Sequence, residues 1–249
     1  MVWLSEVVDY CNQLLDCTRH ADYCPNGLQV ESGDQVHRLV TGVTASQATI
    51  DAAVAAGADL LLVHHGYFWK GEAPCLTGMK GRRISTLIRH GVSLLAYHLP
   101  LDAHPTLGNN HQLGLVLGFQ DGRATPENPL LWVGEVPDAP SLDQLAAEVG
   151  ERLGRLPLAV PGSGRPVRRI AWCTGAAQDL IGQAAELRVD AFLSGEISER
   201  TVHAARELGV HYLAAGHHGT ERYGVQALGA HLADRFGVEH QYLEQDNPV

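Results

Sequence analysis

Asp59-Leu60-Leu61-Leu62-Val63-His64-His65-Gly66-Tyr67-Phe68-Trp69 is the stretch on which the reading of this chain turns. Four apolar residues, Leu60 to Val63, run without interruption and stop at two histidines and a glycine. A short unbroken apolar run fits a strand covered on both faces of a parallel sheet. Ligands of open α/β sheets collect just beyond the carboxyl ends of such strands, which is where His64 and His65 fall. By itself the pair fits either a metal site or two histidines satisfied by nearby backbone. Neighbouring strand residues point to opposite faces, so one ion would not take both without a bend. Two ions roughly 3.5–4 Å apart could take one each.

On the amino-terminal side, residues 3–16 have helical spacing, with Leu4, Val7, Val8, Cys11, Leu14 and Leu15 on one face. Pro25 and Asn26-Gly27 mark a turn. A strand is expected over 38–43 and a helix over about 46–56, stopped by Gly57. Beyond the histidines, 80–89 reads as a helix ended by Gly91, and 92–97 as a third buried strand. That strand runs out at His98-Leu99-Pro100-Leu101-Asp102, with Asp102 expected in a loop at the rim of the sheet. A further helix starts near Gly108-Asn109-Asn110, where either asparagine can cap it. Residues 119–129, rich in glycine, proline and polar groups, read as a boundary.

The second half follows the same plan. Strands are expected over 169–175, 190–193 and 209–215, with helices over 178–186 and 198–208 between them. The third strand ends at Gly216-His217-His218-Gly219-Thr220-Glu221-Arg222. A helix to about residue 236 and a strand over 238–243 close the chain. Gln47 matches Gln178, Ile50 matches Ile181 and Asp59 matches Asp190 in order. The expected architecture is therefore α/β, with two similar α/β domains from an internal duplication, 1–125 and 126–249, and sites at strand carboxyl ends.

Bulk properties narrow the function. The 249 residues are 45% apolar, enough for one or two globular domains. The formal net charge of -10 argues against a general nucleic-acid surface, because binding a phosphate backbone rests on Lys and Arg. No apolar run is long enough for a membrane span, and no basic region leads into an apolar block at the start, so no secretory signal is expected. Five scattered cysteines without a C-x-x-C point to a reduced, cytoplasmic chain. There is no G-x-x-x-x-G-K-[ST] phosphate loop. Fourteen histidines are the informative excess.

The candidate ligands are His64, His65, His98, Asp102, His217, His218 and Glu221. His217 and Glu221 are four apart, His218 and Glu221 three apart, and either pair shares a face if a helix begins by residue 217. Glu221 also suits a first-turn charge on a helix dipole, Asp102 a turn after Pro100, and Glu196 a charge ahead of the helix that follows Gly195. His104, His111, His203 and His211 read as ordinary.

In combination, His64-His65-Gly66, Tyr97-His98-Leu99-Pro100-Leu101-Asp102, Gly108-Asn109-Asn110, Ser194-Gly195-Glu196 and Gly216-His217-His218-x-Thr220-Glu221-Arg222 carry a resemblance, as does Pro25-Asn26-Gly27-Leu28-Gln29-Val30. The chain resembles, over its whole length, the NIF-three-like (YbgI-like) dinuclear metal family, often described as GTP cyclohydrolase 1 type 2. It is similar to the compact form without an inserted domain. The resemblance implies intertwined α/β domains and a homohexameric ring with metal sites facing an internal cavity. It implies two divalent ions per chain, held by His64, His65, Asp102, His217 and Glu221, with Glu221 bridging. A mixed His/carboxylate set suits zinc, iron or manganese. His98, Glu196 and His218 are then candidates for proton transfer. The expected activity is metal-assisted hydrolysis of a small molecule, such as ring opening of a purine nucleotide. The alternative is a metal-handling or partner-binding ring protein without turnover.

Overall fold

The computed structural model describes residues 1–249. Its elements run β1 (Val2–Trp3), α1 (Leu4–Leu14), β2 (Gly27–Val30), β3 (Gln35–Val36), β4 (Arg38–Thr44), α2 (Gln47–Ala55), β5 (Leu60–His65), α3 (Gly78–Arg89), β6 (Ser93–Ala96), α4 (Leu99–Ala103) and α5 (Asn109–Val116). They continue with β7 (Gln120–Ala124), β8 (Trp132–Glu135), α6 (Leu142–Leu153), β9 (Leu158–Val160), β10 (Arg169–Cys173), α7 (Ile181–Glu186), β11 (Ala191–Ser194), α8 (Glu199–Leu208), β12 (His211–Ala214), α9 (His217–Phe236) and β13 (Glu239–Tyr242). No helix is long and apolar enough to cross a membrane.

Two compact units are present. The first holds Met1–Leu101 and Gly224–Asp246, the second Asp102–Tyr223 and Asn247–Val249. The division thus falls at 101/102, where the sequence reading drew it at 125/126. The carboxyl-terminal segment returns to the first unit because β13 pairs in parallel with β4, Glu239 opposite Arg38 through Tyr242 opposite Thr41.

The sheet of the first unit has the order β13-β4-β5-β6-β2, with β4, β5 and β6 parallel and β2 antiparallel on β6. β5 has a neighbour on each edge, and Leu60, Leu61, Leu62 and Val63 are fully buried, which is why its sequence does not alternate. Burying each such side chain is worth about 1.5–3 kcal/mol. α2 packs Ile50 and Ala53 into this core and is capped by Ser46, whose hydroxyl accepts from the Thr49 N–H.

In the second unit the sheet order is β7-β8-β10-β11-β12-β9, with β10, β11 and β12 parallel. Residues 119–129, expected as a boundary, include β7. It is an edge strand whose residues are mostly exposed, and its polar composition is that of an edge. β8, α6 and β9 lie in a segment that the sequence reading left unassigned. α6 opens on a capping box in which the Ser141 hydroxyl accepts from the Gln144 N–H and the Gln144 side chain accepts from the Ser141 N–H.

The same bonds recur in the two units. Asp59 Oδ2 accepts from the backbone N–H groups of His37 and Arg38 at the start of β4. Asp190 Oδ2 accepts from those of Arg168 and Arg169 at the start of β10. Each carboxylate ties the entry of the first parallel strand to that of the second. Charge-assisted bonds of this kind are worth about 1–3 kcal/mol. Asp59→Ala and Asp190→Ala should therefore each lower stability by about 1–3 kcal/mol, read from urea midpoints. A wild-type midpoint for either variant would remove that aspartate from the shared framework.

Candidate functional site

In the first unit the apolar core of β5 ends at His64, which is fully buried, and the half-buried His65. Alternation along a strand would send the two rings apart. At this strand end they instead converge, with centroids 4.6 Å apart and planes at 47°. Gly66 follows because a side chain there would run into the Gln29 amide and the Ala96 Cβ. His98, just beyond β6, completes the group, its ring centroid 5.0 Å from that of His64 and 5.8 Å from that of His65. One ring nitrogen from each of the three lies within 4.8 Å of the other two.

Each ring is anchored through Nδ1. His64 Nδ1–H donates to the Tyr97 carbonyl at 2.8 Å. His65 Nδ1 meets the Thr44 hydroxyl at 3.1 Å. His98 Nδ1 meets Asp22 Oδ1 at 2.8 Å, and a carboxylate only accepts, so the proton sits on Nδ1. Asp22 also accepts from the Tyr23 and Leu99 N–H groups and the Asn26 amide. Asn26 Oδ1 accepts from the His98 N–H. Asp22 was not singled out from sequence, and Asn26 entered only as part of a turn and of the Pro25–Val30 motif that carries the family resemblance. Cys24 also lies beside Asp22 and His98, but the Asp22 oxygens are already occupied by those donors. Burial alone would raise the Asp22 pKa. The hydrogen bonds from His98 and Asn26 and the charge of His98 outweigh it and hold Asp22 at about 2.

In the second unit, considered by itself, the buried groups include carboxylates. Asp102 is not in a rim loop. It lies on α4, only 5% exposed, and its Oδ1 accepts from the Asn109 amide at 2.8 Å and the Thr174 hydroxyl at 3.3 Å. The expected cap of α5 is likewise different. Gly108 is the cap residue, while the buried Asn109 and Asn110 turn toward Asp102, Asn110 donating to its backbone carbonyl. A buried carboxylate needs such donors more than an exposed helix end needs a cap.

α9 begins at His217, so His217 and Glu221 share a face, with Nε2 3.0 Å from Glu221 Oε2. His217 Nδ1–H donates to Glu196 Oε1 at 2.6 Å, which makes Glu196 the anchor of this ring. Burial disfavours the charged imidazole. Glu221 and then Glu196 outweigh it and lift His217 to about 9. The two carboxylates therefore favour a positive charge on the His217 ring. Gly175 stands beside Glu221, with a left-handed φ of 66°, and a Cβ there would collide with Glu221 Oε1. Burial and then the charges of Asp102 and Glu221 push the Cys173 thiol well above its ordinary value. His218 is buried and its backbone N–H donates to the Val249 carbonyl. Among the histidines read as ordinary, His211 accepts from the Gly162 N–H and donates to the Arg165 carbonyl, while His203 pairs with Glu199.

Imidazoles and buried carboxylates are side chains that could hold a metal ion. The profile of the Duf34/NIF3 (NGG1p interacting factor 3) family matches residues 2–248. A protein of Allochromatium vinosum named GTP cyclohydrolase 1 type 2 homolog is 57% identical over 250 residues, covering 100% of this chain and 98% of the relative. One of the same name from Pseudomonas aeruginosa is 56% identical, covering 99% and 98%. A solved structure described as protein ybgI, of unknown function, is similar with a TM-score of 0.96 at 46% identity, covering 100% of both chains.

The lowered Asp22 pKa sets a pH dependence. The folded value of about 2 lies below the usual 3.8, so the stabilisation is complete above pH ~4 and is lost as the pH falls toward ~2. In chelator-treated protein, Asp22→Asn should cost about 2 kcal/mol at pH 6 and converge with wild type near pH 2, measured by urea unfolding across pH. A constant difference between wild type and variant down to pH 2 would contradict this.

Proposed function

The chain belongs to the Duf34/NIF3 family, and from that premise we propose that it is a dinuclear metal protein that activates water against a small-molecule substrate. His64, His65, Asp102, His217 and Glu221 would hold two divalent ions, with Glu221 in the role of the shared carboxylate. The observation that carries this reading is the anchoring of His64, His65 and His217 through Nδ1. That arrangement orients the other nitrogen of an imidazole for a metal. Imidazole and carboxylate ligands together suit divalent ions of this kind.

A divalent ion in such a set supplies Lewis acidity and makes water a usable nucleophile near neutral pH. The chain's own groups do the rest. Asp22 holds the proton of His98 on Nδ1, so the other nitrogen is a proton acceptor. Glu196 orients His217, and His218 is a further group for proton transfer. The name shared by the relatives, GTP cyclohydrolase 1 type 2 homolog, points to hydrolytic opening of a purine nucleotide as the substrate class to test first.

Metal stoichiometry tests the ligand assignment. A shared carboxylate screens the repulsion between two nearby ions, whereas a terminal histidine serves one. Glu221→Gln should lose both ions, while His65→Ala should lose about one, by elemental analysis of identically purified protein with circular dichroism as the folding control. Two ions retained in Glu221→Gln would leave the proposed centre without its bridge.

The family resemblance also motivates a homohexamer. Light scattering should report about six times the 26.8 kDa chain mass. A stable monomer at micromolar concentration would rule the ring out.

A further inference from the structure

We propose that the cleft between α2 and α3 of the first unit binds a small polyphosphate, a nucleotide-sized molecule carrying a chain of phosphate groups. The cleft shares no residue with the proposed metal ligands, and the inference goes beyond the reading above. It encloses a cavity of about 530 Å³, within the range of small-molecule sites. Arg82, Ser85, Thr86 and Arg89 line it from α3, Gln47 from the first turn of α2, and Leu76 from the segment ahead of α3. No carboxylate lines it.

Charge is the first reason. The chain has a net charge of -10, yet α3 carries four basic residues, Lys80, Arg82, Arg83 and Arg89, and no acidic one. Three of the four stand in its amino-terminal half, where the helix dipole favours acids instead. Lys80 is answered inside the fold. Its Nζ donates to the Ala73 carbonyl, lies 3.5 Å from Glu72 and sits over the Phe68 ring. Arg82 and Arg89 are exposed, and neither forms an ion pair. They stand two helical turns apart, about 10 Å along the axis, with Ser85 between them on the same face.

Shape is the second. A Cβ at Gly81 would strike the Leu76 carbonyl, so glycine there lets residues 76–77 fold back against α3, and the Gly81 N–H donates to the Thr77 carbonyl. On the other wall Gln47 Nε2 donates to Thr86 Oγ1 at 3.3 Å and to Asp51 Oδ1 at 2.8 Å. Thr86 in turn donates to the Arg82 carbonyl at 2.9 Å. These bonds hold α2 and α3 at a set spacing while using only the backbone of Arg82. Guanidinium groups meet phosphate oxygens in forked pairs, and two of them on one helical face suit a chain of phosphates laid along it. Ser85 adds a hydroxyl donor, and the exposed Leu76 an apolar wall for whatever the phosphates carry. A long nucleic acid is disfavoured, because its backbone would meet the acidic remainder of the surface.

Calorimetric titration of the full-length protein, as purified, with sodium tripolyphosphate is the test. A saturable event is expected whose affinity falls as salt rises. Arg82→Gln and Arg89→Gln should each weaken it about tenfold or more. Arg82→Lys should lose less than Arg82→Gln, because it keeps the charge without the fork. Both side chains are exposed, so these variants should keep the wild-type circular dichroism, urea midpoint and metal content. The event should persist in His65→Ala, which impairs the metal centre. GTP in place of tripolyphosphate separates two sources of the phosphates. Tighter binding that Leu76→Ser reduces assigns a nucleoside to the apolar wall, and equal affinity assigns the cleft to the phosphate chain alone. No saturation at millimolar tripolyphosphate would overturn the proposal, as would unchanged affinity in an Arg82→Gln/Arg89→Gln double variant or loss of the event in His65→Ala. Tighter binding of a single-stranded oligonucleotide, abolished in the same double variant, would overturn it in favour of a nucleic-acid surface. The metal reading stands or falls separately, on the ions retained by Glu221→Gln.

Discussion

Imidazoles at the ends of buried strands have one nitrogen too many for a protein interior. Each ring carries a donor and an acceptor, and the unsatisfied one costs free energy once water is excluded. Here Nδ1 of each ring has a partner, and Nε2 of His217 meets Glu221 Oε2 as well. Tyr97, Thr44, Asp22 and Glu196 take Nδ1 of His64, His65, His98 and His217 respectively. The identity and orientation of the remaining nitrogen follow from those bonds. Everything chemically distinctive in the chain depends on this arrangement, because a ring free to turn about its χ2 axis would present either nitrogen.

The backbone has been shaped around the same groups. Gly66 and Gly175 stand where a side chain would strike Gln29 or Glu221. Asn109 and Asn110 leave the role of a helix cap to Gly108 and hold Asp102 from below. Thr174 does so from β10's end, and its own N–H donates to Asn110. A buried carboxylate with several donors keeps its position.

The framework that delivers these groups is plain by comparison. Parallel strands β4, β5 and β6, and again β10, β11 and β12, bring successive carboxyl ends to one edge of each sheet. Asp59 and Asp190 tie strand entries at the opposite end by matching pairs of bonds. The aspartate ties and the candidate site residues thus occupy different ends of the strands.

The amino-acid sequence by itself determined the α/β class, the buried strands and most of the helices between them. Unbroken apolar runs such as Leu60 to Val63 and the helical spacing of α1 are local patterns. The spacing of His217 and Glu221 likewise already allowed a shared helical face. Tertiary structure decided the rest. The return of β13 to β4 joins residues about two hundred positions apart, and no local pattern encodes a pairing partner. Polar β7 was hidden because an edge strand has no apolar stripe to read, whereas α6 does carry a local signal, in its Ser141–Gln144 capping box and the helical spacing of Leu142, Leu145, Val149 and Leu153. The turning together of His64 and His65, the placement of Asp102 on a buried helix, and the part of Asp22, Asn26 and Asn109 are settled by hydrogen bonds between distant segments. Such bonds are chosen by what is left unsatisfied after the core has packed, which no single stretch of sequence contains.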